Sequence, residues 1–244
     1  MEQVIVSKQN PFVKELSSLK EKKGRRERGA FLVEGVKMVT ECIASGMKIM
    51  RIAVREGVEA PACDCPVLTF GEDAFRSICD EKTPQGMIAE VLIPNHALSS
   101  PKGNCLLLDG LQDPANIGAI IRTAVAAGYS ELYLADCADP YSPKSVRASM
   151  SGVFFAKIMQ GAREDLLESL GSVPLIAADM DGENVFDFTP PEKFCIAIGN
   201  EGKGLTDEVR NRANYTVKIP MGEHTESLNA AVSAGILMYQ LKKF

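Results

Sequence analysis

The sequence predicts an α/β protein, in which a small α/β domain precedes a domain built on a mostly parallel sheet. Short apolar runs typical of strands alternate with helical patterns along the chain. The continuous apolar run at 105–109 is typical of a central parallel strand, because such strands are buried on both faces. Polar, glycine-bearing loops at 109–118, 198–205 and 219–231 each follow a strand and precede a helix. Such loops meet at the carboxyl edge of a parallel sheet, so the sequence predicts one binding site there.

The composition limits the class of protein. The chain has 244 residues, 45% of them hydrophobic and 24% charged, which is ordinary for one large or two small globular domains. No apolar run approaches the ~20 residues that cross a bilayer, and the first ten residues lack the layout of a signal peptide. Seven cysteines without a disulfide framework favour a reduced compartment. We therefore expect a cytoplasmic protein without a membrane partner. Cys63, Cys65 and Cys79 fit no structural zinc spacing, so no metal is expected.

The first domain is predicted to span residues 1–95, and a linker follows it. Residues 94–103 concentrate Pro, Ser, Asn and Gly, which places the linker at 96–103. The expected elements are a short strand and a basic helix within 1–30 capped by Ser7 or Asn10, strands at 31–35, 49–54, 66–70 and 87–93, and helices at 35–44 and 73–77.

The second domain is predicted to span residues 104–244. Its first helix covers 117–127, with Asn116 as N-cap and Gly128 just beyond the end. The final helix runs from Leu228 to about Leu241, with Ser227 as N-cap and Asn229 in the first turn. After the strand at 105–109, further strands are expected at 131–135, 173–178, 194–198 and 215–219.

Charge is unevenly distributed. Residues 1–30 contain eight basic and four acidic residues and carry +4, so the remainder carries −9 of the total −5. A basic segment on an acidic body indicates a polyanionic partner, although a solvated charged helix face explains the same pattern equally well. The candidate phosphate contacts are Lys20, Lys22, Lys23, Arg25, Arg26 and Arg28.

Two residues in the polar loops and the helix after them could carry chemistry. Arg122 lies on the side of its helix away from Ile117, and its planar fork suits two phosphate oxygens. Glu201 stands in a glycine-rich turn and could be a positioned carboxylate. An ordinary exposed arginine and a flexible surface turn remain the alternatives. The turn matches neither G-x-G-x-x-G nor a P-loop, and the chain offers no convincing Ser-His-Asp order or metal-ligand spacing.

Together the three loops resemble the signature motifs of the SpoU (TrmH-like) RNA ribose 2′-O-methyltransferases of the SPOUT superfamily. The first motif is Asp-Pro-Ala-Asn-Ile-Gly-Ala-Ile-Ile-Arg-Thr-Ala at 113–124, and the second is Ile-Gly-Asn-Glu-Gly at 198–202. The third is Ile-Pro-Met-Gly-Glu-His-Thr-Glu-Ser-Leu-Asn-Ala-Ala at 219–231. The match covers about 105–241. Residues 7–10, the basic helix and Phe-Leu-Val-Glu-Gly at 31–35 resemble the L30e-like substrate-binding domain that precedes this catalytic domain.

The resemblance implies a deep trefoil knot, a homodimer and S-adenosylmethionine (SAM) bound by the knot loops. It implies methyl transfer to a ribose 2′-OH, for which the separate first domain favours ribosomal RNA. The same reaction on transfer RNA, or a catalytically silent RNA-binding protein, remains open. The residues implied in catalysis are Arg122, Asn116, Glu201, Ser227 and Asn229. Those implied in cofactor binding are Gly199, Ile219 and Leu228, together with Ala178 and Met221. Arg147, within 142–154, is expected to face RNA.

Overall fold

A computed structural model describes residues 4–225 and 227–242. Two compact units are formed, the first by the described part of Met1–Pro94 with Asp139–Phe154 and the second by Asn95–Ala138 with the described part of Phe155–Phe244. The first unit therefore includes a segment that the sequence assigns to the second domain. As independently folding domains, 1–95 and 104–244 stay a prediction.

The first unit has a mixed sheet covered by short helices. In chain order up to residue 94 its elements are α1 (Pro11–Ser18), α2 (Lys22–Arg28), β1 (Ala30–Glu34), α3 (Val36–Ala44), β2 (Ile49–Arg55), β3 (Val67–Phe70), α4 (Glu72–Ile78) and β4 (Met87–Leu92). The strand order is β1-β4-β2-β3, antiparallel except for the β2/β3 pair. Asn10 caps α1 by accepting from the Phe12 N–H, which confirms one of the two predicted caps.

The core of this unit explains why α1 forms where it does. Val13 and Leu16 recur at helical spacing and are buried against Phe75 of α4 and Ile88 of β4. The basic stretch predicted as one helix is two, because the chain turns between Ser18 and Lys22 before α2 begins. Of the predicted first strand, Ile5 makes an isolated bridge to Phe70, and residues 1–3 lie outside the described residues.

The second unit is built on a parallel sheet. From residue 95 onward the elements are β5 (Cys105–Asp109), α5 (Pro114–Ala126), β6 (Glu131–Ala135), α6 (Pro143–Ser149), a 3₁₀ helix (Met150–Phe154), β7 (Lys157–Gly161), α7 (Arg163–Ser169), β8 (Leu175–Asn184), β9 (Cys195–Gly199), α8 (Asp207–Arg212), β10 (Tyr215–Lys218) and α9 (Ala230–Leu241). The six-stranded order is β10-β8-β9-β5-β6-β7, with every pair parallel. The predicted α/β class is confirmed, while the trefoil knot stays a prediction.

The helix α6 and the 3₁₀ helix after it pack within the first unit, where α6 lies against β1. The Phe31 and Tyr141 rings lie 5.0 Å apart between centroids, and Arg25 forms an ion pair with Asp139 at 2.7 Å. These contacts join residues far apart in sequence, so no local pattern could have assigned this segment.

Both predicted helix starts in the polar loops are wrong by a few residues. Asp113 caps α5 by accepting from the Ala115 N–H, with Pro114 at the first helical position, so Asn116 lies inside the first turn. Asn229 caps α9 by accepting from the N–H groups of Ala231 and Val232, and Ser227 lies before the helix. In each case several residues of the loop are good caps, and the backbone path of the loop decides which of them is used.

The pairing of β8 with β10 is interrupted beside the predicted site. Ala177 pairs with Thr216, but the next residue of β10, Val217, pairs with Glu183. Residues 178–182 therefore loop out of the ladder. A Cβ added at Gly182 would lie 2.5 Å from the Val217 nitrogen, so glycine is required where the strands rejoin.

Candidate active site

The three polar loops are joined by a chain of side-chain hydrogen bonds. Asn116 Nδ2 donates to Glu201 Oε1 at 2.7 Å, and Asn229 Nδ2 donates to Asn116 Oδ1 at 2.9 Å. Asn116 is 8% exposed and uses both ends of its amide in this chain. One residue from each predicted loop thus meets the others, as expected from the meeting of strand ends in a parallel sheet.

The loop after β9 is fixed by Asn200, which sequence analysis did not single out. Its Oδ1 accepts from the N–H groups of Gly202 and Lys203 at 2.9 and 3.0 Å, and its Nδ2 donates to the Gly110 carbonyl at 2.8 Å. Backbone bonds in both directions between Asn200 and Gly204 close the turn. The turn that carries Glu201 is therefore tied to the loop after β5.

A buried carboxylate, Asp109, holds the other end of that turn. It is 1% exposed at the end of β5. Its Oδ2 accepts from the Thr206 N–H and hydroxyl, both at 2.8 Å, and its Oδ1 accepts from Arg163 Nε at 2.8 Å. Burial lowers the pKa of the Arg163 guanidinium, but the hydrogen bond to Asp109 and the charge of Asp136 outweigh burial and raise this pKa above its usual value. A charged residue closing an apolar strand run was the sequence signal for Asp109.

Replacement of Thr206 by valine should lower the free energy of unfolding by about 1–3 kcal/mol, because buried Asp109 loses a donor. Serine at 206 keeps the hydroxyl and should restore most of this loss. Urea unfolding of the two variants beside the unchanged protein measures the difference. Equal stability of the valine and serine variants would mean that the hydroxyl contributes nothing.

Two predicted catalytic residues are not part of the hydrogen-bonded chain. Arg122 is exposed on α5 and forms no hydrogen bond or ion pair with any other described residue. Ser227 is also exposed, two residues before the cap of α9. Both side chains are accessible to a ligand, and their catalytic roles stay predictions.

The predicted cofactor residues lie at or just after the carboxyl ends of the strands. Gly199 ends β9 in register with Asp109, and Ala178 stands where β8 leaves its ladder with β10. Ile219 follows β10 directly. The half-buried residues are Ala178, Gly199, Ile219 and Leu228, and Met221 is 36% exposed. Their surfaces are partly open, as a ligand site requires.

One cysteine, Cys137, lies beside this edge of the sheet. Cys137 follows β6, and burial raises the pKa of its thiol to about 12, so it is not a nucleophilic thiolate near neutral pH. Within 4–225 and 227–242, no three His, Cys, Asp or Glu side chains are grouped to hold a metal ion. In the same part of the chain, no helix is long and apolar enough to cross a membrane.

The prediction that Arg25 contacts phosphate is wrong. Arg25 is 4% exposed, and its guanidinium donates to Asp139 and to the carbonyls of Leu19 and Lys20. Its donors are committed to holding α2 and the segment after β6 within the first unit. Net charge along a sequence cannot separate such an arginine from exposed ones.

The other predicted phosphate contacts differ in availability. Lys20 donates to the Ser77 carbonyl at 2.8 Å at the end of α4, and Arg28 donates to buried Glu90. Arg147 bridges Asp80 and Glu81 at 2.8 and 3.1 Å and remains 47% exposed. Lys22, Lys23 and Arg26 are exposed as well, and Lys23 lies 3.8 Å from exposed Glu27. All of these except Arg25 stay predictions, with Lys22, Lys23 and Arg26 best able to meet an anion.

A parallel sheet with a hydrogen-bonded polar cluster at its carboxyl edge defines an α/β protein with a candidate ligand site at the strand ends. The chain belongs to the SpoU rRNA Methylase family, whose model matches residues 103–239. Residues 10–89 match the MRM3-like substrate binding domain. The resemblance predicted from the three motifs is confirmed.

Known proteins resemble the chain over nearly its whole length. The 23S rRNA (guanosine(2553)-2′-O)-methyltransferase RlmP of Bacillus subtilis is 31% identical over 98% of both chains. The AdoMet-bound rRNA methyltransferase from Sinorhizobium meliloti is 29% identical and superimposes with a TM-score of 0.89, over 98% of this chain and 96% of that one. AviRb from Streptomyces viridochromogenes, in complex with AdoMet, is 27% identical with a TM-score of 0.85, over 95% and 97%.

Proposed function

We propose that the protein transfers a methyl group from SAM to a ribose 2′-OH of ribosomal RNA. Membership of the family gives methyltransferase activity on RNA, and the proposal adds the atom, the donor and the RNA. The observation that carries it is the chain Glu201–Asn116–Asn229, which links the three loops that the family uses. The names of RlmP and of the AdoMet-bound relatives support the same reaction and donor.

The segment between β10 and α9 suits a cofactor held by backbone groups. Among the described residues of 219–228, one backbone hydrogen bond is made within the segment, from the Thr225 N–H to the Gly222 carbonyl. Between this segment and the rest of the described chain no further backbone hydrogen bond is formed, so its described N–H and C=O groups can bond a ligand or water. Ile219 and Leu228 add half-buried apolar surface on either side. Gly199, Ile219 and Leu228 are the residues that would hold SAM, with Ala178 and Met221 beside them.

When bound, SAM supplies a methyl group on a sulfonium sulfur, so no metal is needed to activate it. The residues of this chain have to hold the ribose hydroxyl in line with that methyl while its proton leaves, and positioning of this kind contributes roughly 7–11 kcal/mol in favourable cases. Asn116 fixes Glu201 and Asn229 by using both ends of its amide, so these two side chains need little reorganisation during the reaction.

In this mechanism Arg122 binds the phosphate beside the reacting ribose and stabilises the developing alkoxide. A guanidinium is a poor base, because its pKa in water exceeds about 12. Its forked donors suit two phosphate oxygens. Deprotonation is then assisted by the bound phosphate or a neighbouring group, while Glu201 and Ser227 orient the guanidinium and the sugar.

Mass spectrometry of RNA from a strain lacking the gene tests the substrate. We expect the loss of one 2′-O-methyl in ribosomal RNA and its return when the gene is restored. Loss of a methyl from transfer RNA instead would move the substrate to that class. Calorimetry with SAM separates an enzyme from a silent RNA-binding relative, because the latter should fail to bind the cofactor.

Replacement of Lys22, Lys23 or Arg26 by alanine should weaken RNA binding and reduce the slope of log affinity against log salt by about 1 for each phosphate that is no longer bound. The matched control is Lys37→Ala, because Lys37 is 74% exposed on α3, and this variant should leave the slope unchanged. Filter binding across a salt series gives the slopes, and slopes equal to that of the unchanged protein in the Lys22, Lys23 and Arg26 variants contradict a role for this surface.

Replacement of Arg25 by alanine should instead lower the free energy of unfolding by about 3–5 kcal/mol, since Asp139 loses its partner.

We also propose that the protein acts as a homodimer in the cytoplasm. On α9, Val232 and Tyr239 are 50% and 49% exposed and recur at helical spacing. An apolar helix face of this kind suits pairing with a second copy. Light scattering during gel filtration gives the oligomeric state.

A further inference from the structure

Phe12 is an exposed aromatic side chain that packs against a guanidinium. It lies in the first turn of α1 and is 40% exposed. The Arg51 guanidinium carbon lies 5.0 Å from the centre of its ring, over one face. That distance is within the range of a cation–π interaction. The guanidinium therefore covers one face of the ring, and the exposed area of Phe12 lies on the remainder of the ring.

Arg51 cannot easily move away from the ring, because two carboxylates hold it. Its Nε donates to Glu90, whose side chain is 2% exposed, and its second terminal nitrogen donates to Glu15 at 2.5 Å. Arg28 bonds the same two carboxylates, at 2.8 Å to Glu90 and 3.4 Å to Glu15. Two arginines and two glutamates thus form a closed network beneath Phe12. The guanidinium that packs against the ring is therefore held in place before a ligand arrives.

The chain segment that contains Phe12 is basic. Lys8 and Lys14, on either side of it in sequence, are both exposed, and within residues 1–30 basic residues outnumber acidic ones by eight to four. A polyanion is attracted to such a segment. Flat rings attached to a polyanion are the bases of a nucleic acid, and unpaired bases of RNA are commonly bound by stacking on aromatic side chains.

We propose that Phe12 is a stacking platform for an unpaired nucleobase of the RNA that this protein methylates. The inference rests on the proposed function, because it takes RNA as the substrate. Phe12 binds the base by its open face, while Arg51 and its carboxylate partners hold the ring. Exposed Lys8 and Lys14 of the same segment bind phosphates. Stacking on Phe12 then adds affinity for the bases to an electrostatic contact that does not depend on the bases.

The chain contains no tryptophan, which allows a direct test. In the Phe12→Trp variant the indole is the sole tryptophan, and stacking of a base on it should quench its fluorescence. The probes are oligoadenylate and an abasic oligoribonucleotide of the same length, which carries the same charge without bases. Val36→Trp is the control, since Val36 is 40% exposed at the start of α3 in the same unit.

We expect oligoadenylate to quench the fluorescence of the Phe12→Trp protein and the abasic probe to leave it unchanged, with neither probe quenching the Val36→Trp protein. Equal quenching by both probes, or quenching of the control alone, overturns the proposal. So does a failure of the unchanged protein to bind oligoadenylate more tightly than the abasic strand. A change of oligomeric state in the Phe12 variants, without a change in RNA affinity, would assign the ring to a protein contact instead.

Substitution of Phe12 by alanine should weaken oligoadenylate binding about 5- to 150-fold, the range measured for loss of one stacked base. Phe12→Leu keeps apolar cover over Arg51 but has no ring face, and should weaken binding similarly while melting like the unchanged protein. Methyl transfer to ribosomal RNA by the unchanged protein is measured separately. If methyl transfer is absent while base-dependent quenching persists, the proposed function is wrong and the stacking role of Phe12 is retained. If methyl transfer is present without base-dependent quenching, only the stacking role is wrong.

Discussion

Replacement of Arg122 by alanine should reduce methyl transfer to RNA about 100- to 1000-fold, the range for loss of one group that stabilises developing charge. Arg122 is exposed and forms no bond with another described residue, so the change should leave the fold intact. SAM binding should stay close to normal, because the proposed cofactor residues lie on other loops. A tritiated-methyl assay with ribosomal RNA and calorimetry with SAM measure the two effects.

The Arg122→Lys variant keeps the charge but lacks the fork, and should recover a small part of the activity. Arg76, which is 60% exposed on α4, is the matched helical arginine, and its alanine variant should turn over normally. Full turnover by Arg122→Ala would remove this residue from the mechanism. Equal losses of SAM affinity and turnover would make it a cofactor residue rather than a substrate one.

Replacement of Gly199 by alanine should abolish SAM binding and lower the free energy of unfolding by about 3 kcal/mol or more. A Cβ at this position would lie 2.3 Å from the carbonyl carbon of Gly204 and 2.4 Å from the nitrogen of Leu205. Both are backbone atoms of the turn after β9, so the turn has to move and takes Glu201 with it. Calorimetry with SAM and thermal unfolding check the two losses.

Gly202 in the same turn is the matched control for Gly199. A Cβ there would meet its nearest atom, Asn200 Oδ1, at 3.7 Å, which is an ordinary contact. Its alanine variant should stay within about 0.5 kcal/mol of the unchanged protein and bind SAM. Equal unfolding temperatures and SAM affinities of the Gly199→Ala and Gly202→Ala variants would mean that close packing of the turn is not what requires glycine at position 199.

The residues of the polar cluster were predicted from the sequence more accurately than the starts of the helices around them. Asn116, Glu201 and Asn229 were singled out together because the polar loops that contain them resemble the three family motifs. The caps were misassigned, since Asp113 and Asn116 are both good capping residues and Pro114 at the first helical position was the signal that separates them. Helix α8, from Asp207 to Arg212, was missed because six residues give little helical periodicity. Edge strand β7, Lys157–Gly161, was missed because only Ile158 and Met159 in it are apolar.

Arg25 shows a different limit. Within a run of basic residues it looks like its neighbours, yet it is buried and its ion-pair partner, Asp139, lies 114 residues away. Asp109 was likewise overlooked, and its donor Thr206 lies 97 residues further along the chain. Neither role follows from spacing, because each depends on which distant backbone folds against it.

By itself, the sequence determined the α/β class, the three loops and the family motifs, all of which follow from residue types at short spacing. The tertiary structure alone decided which side chains meet. The bond from Asn116 to Glu201 spans 85 residues and that from Asn229 to Asn116 spans 113. Hydrogen bonds require donors and acceptors within about 3 Å. The first pair is close because β9 and β5 are neighbours in the sheet, and the second because α9 packs against α5. Strand neighbours are chosen by long-range packing, which no local pattern encodes.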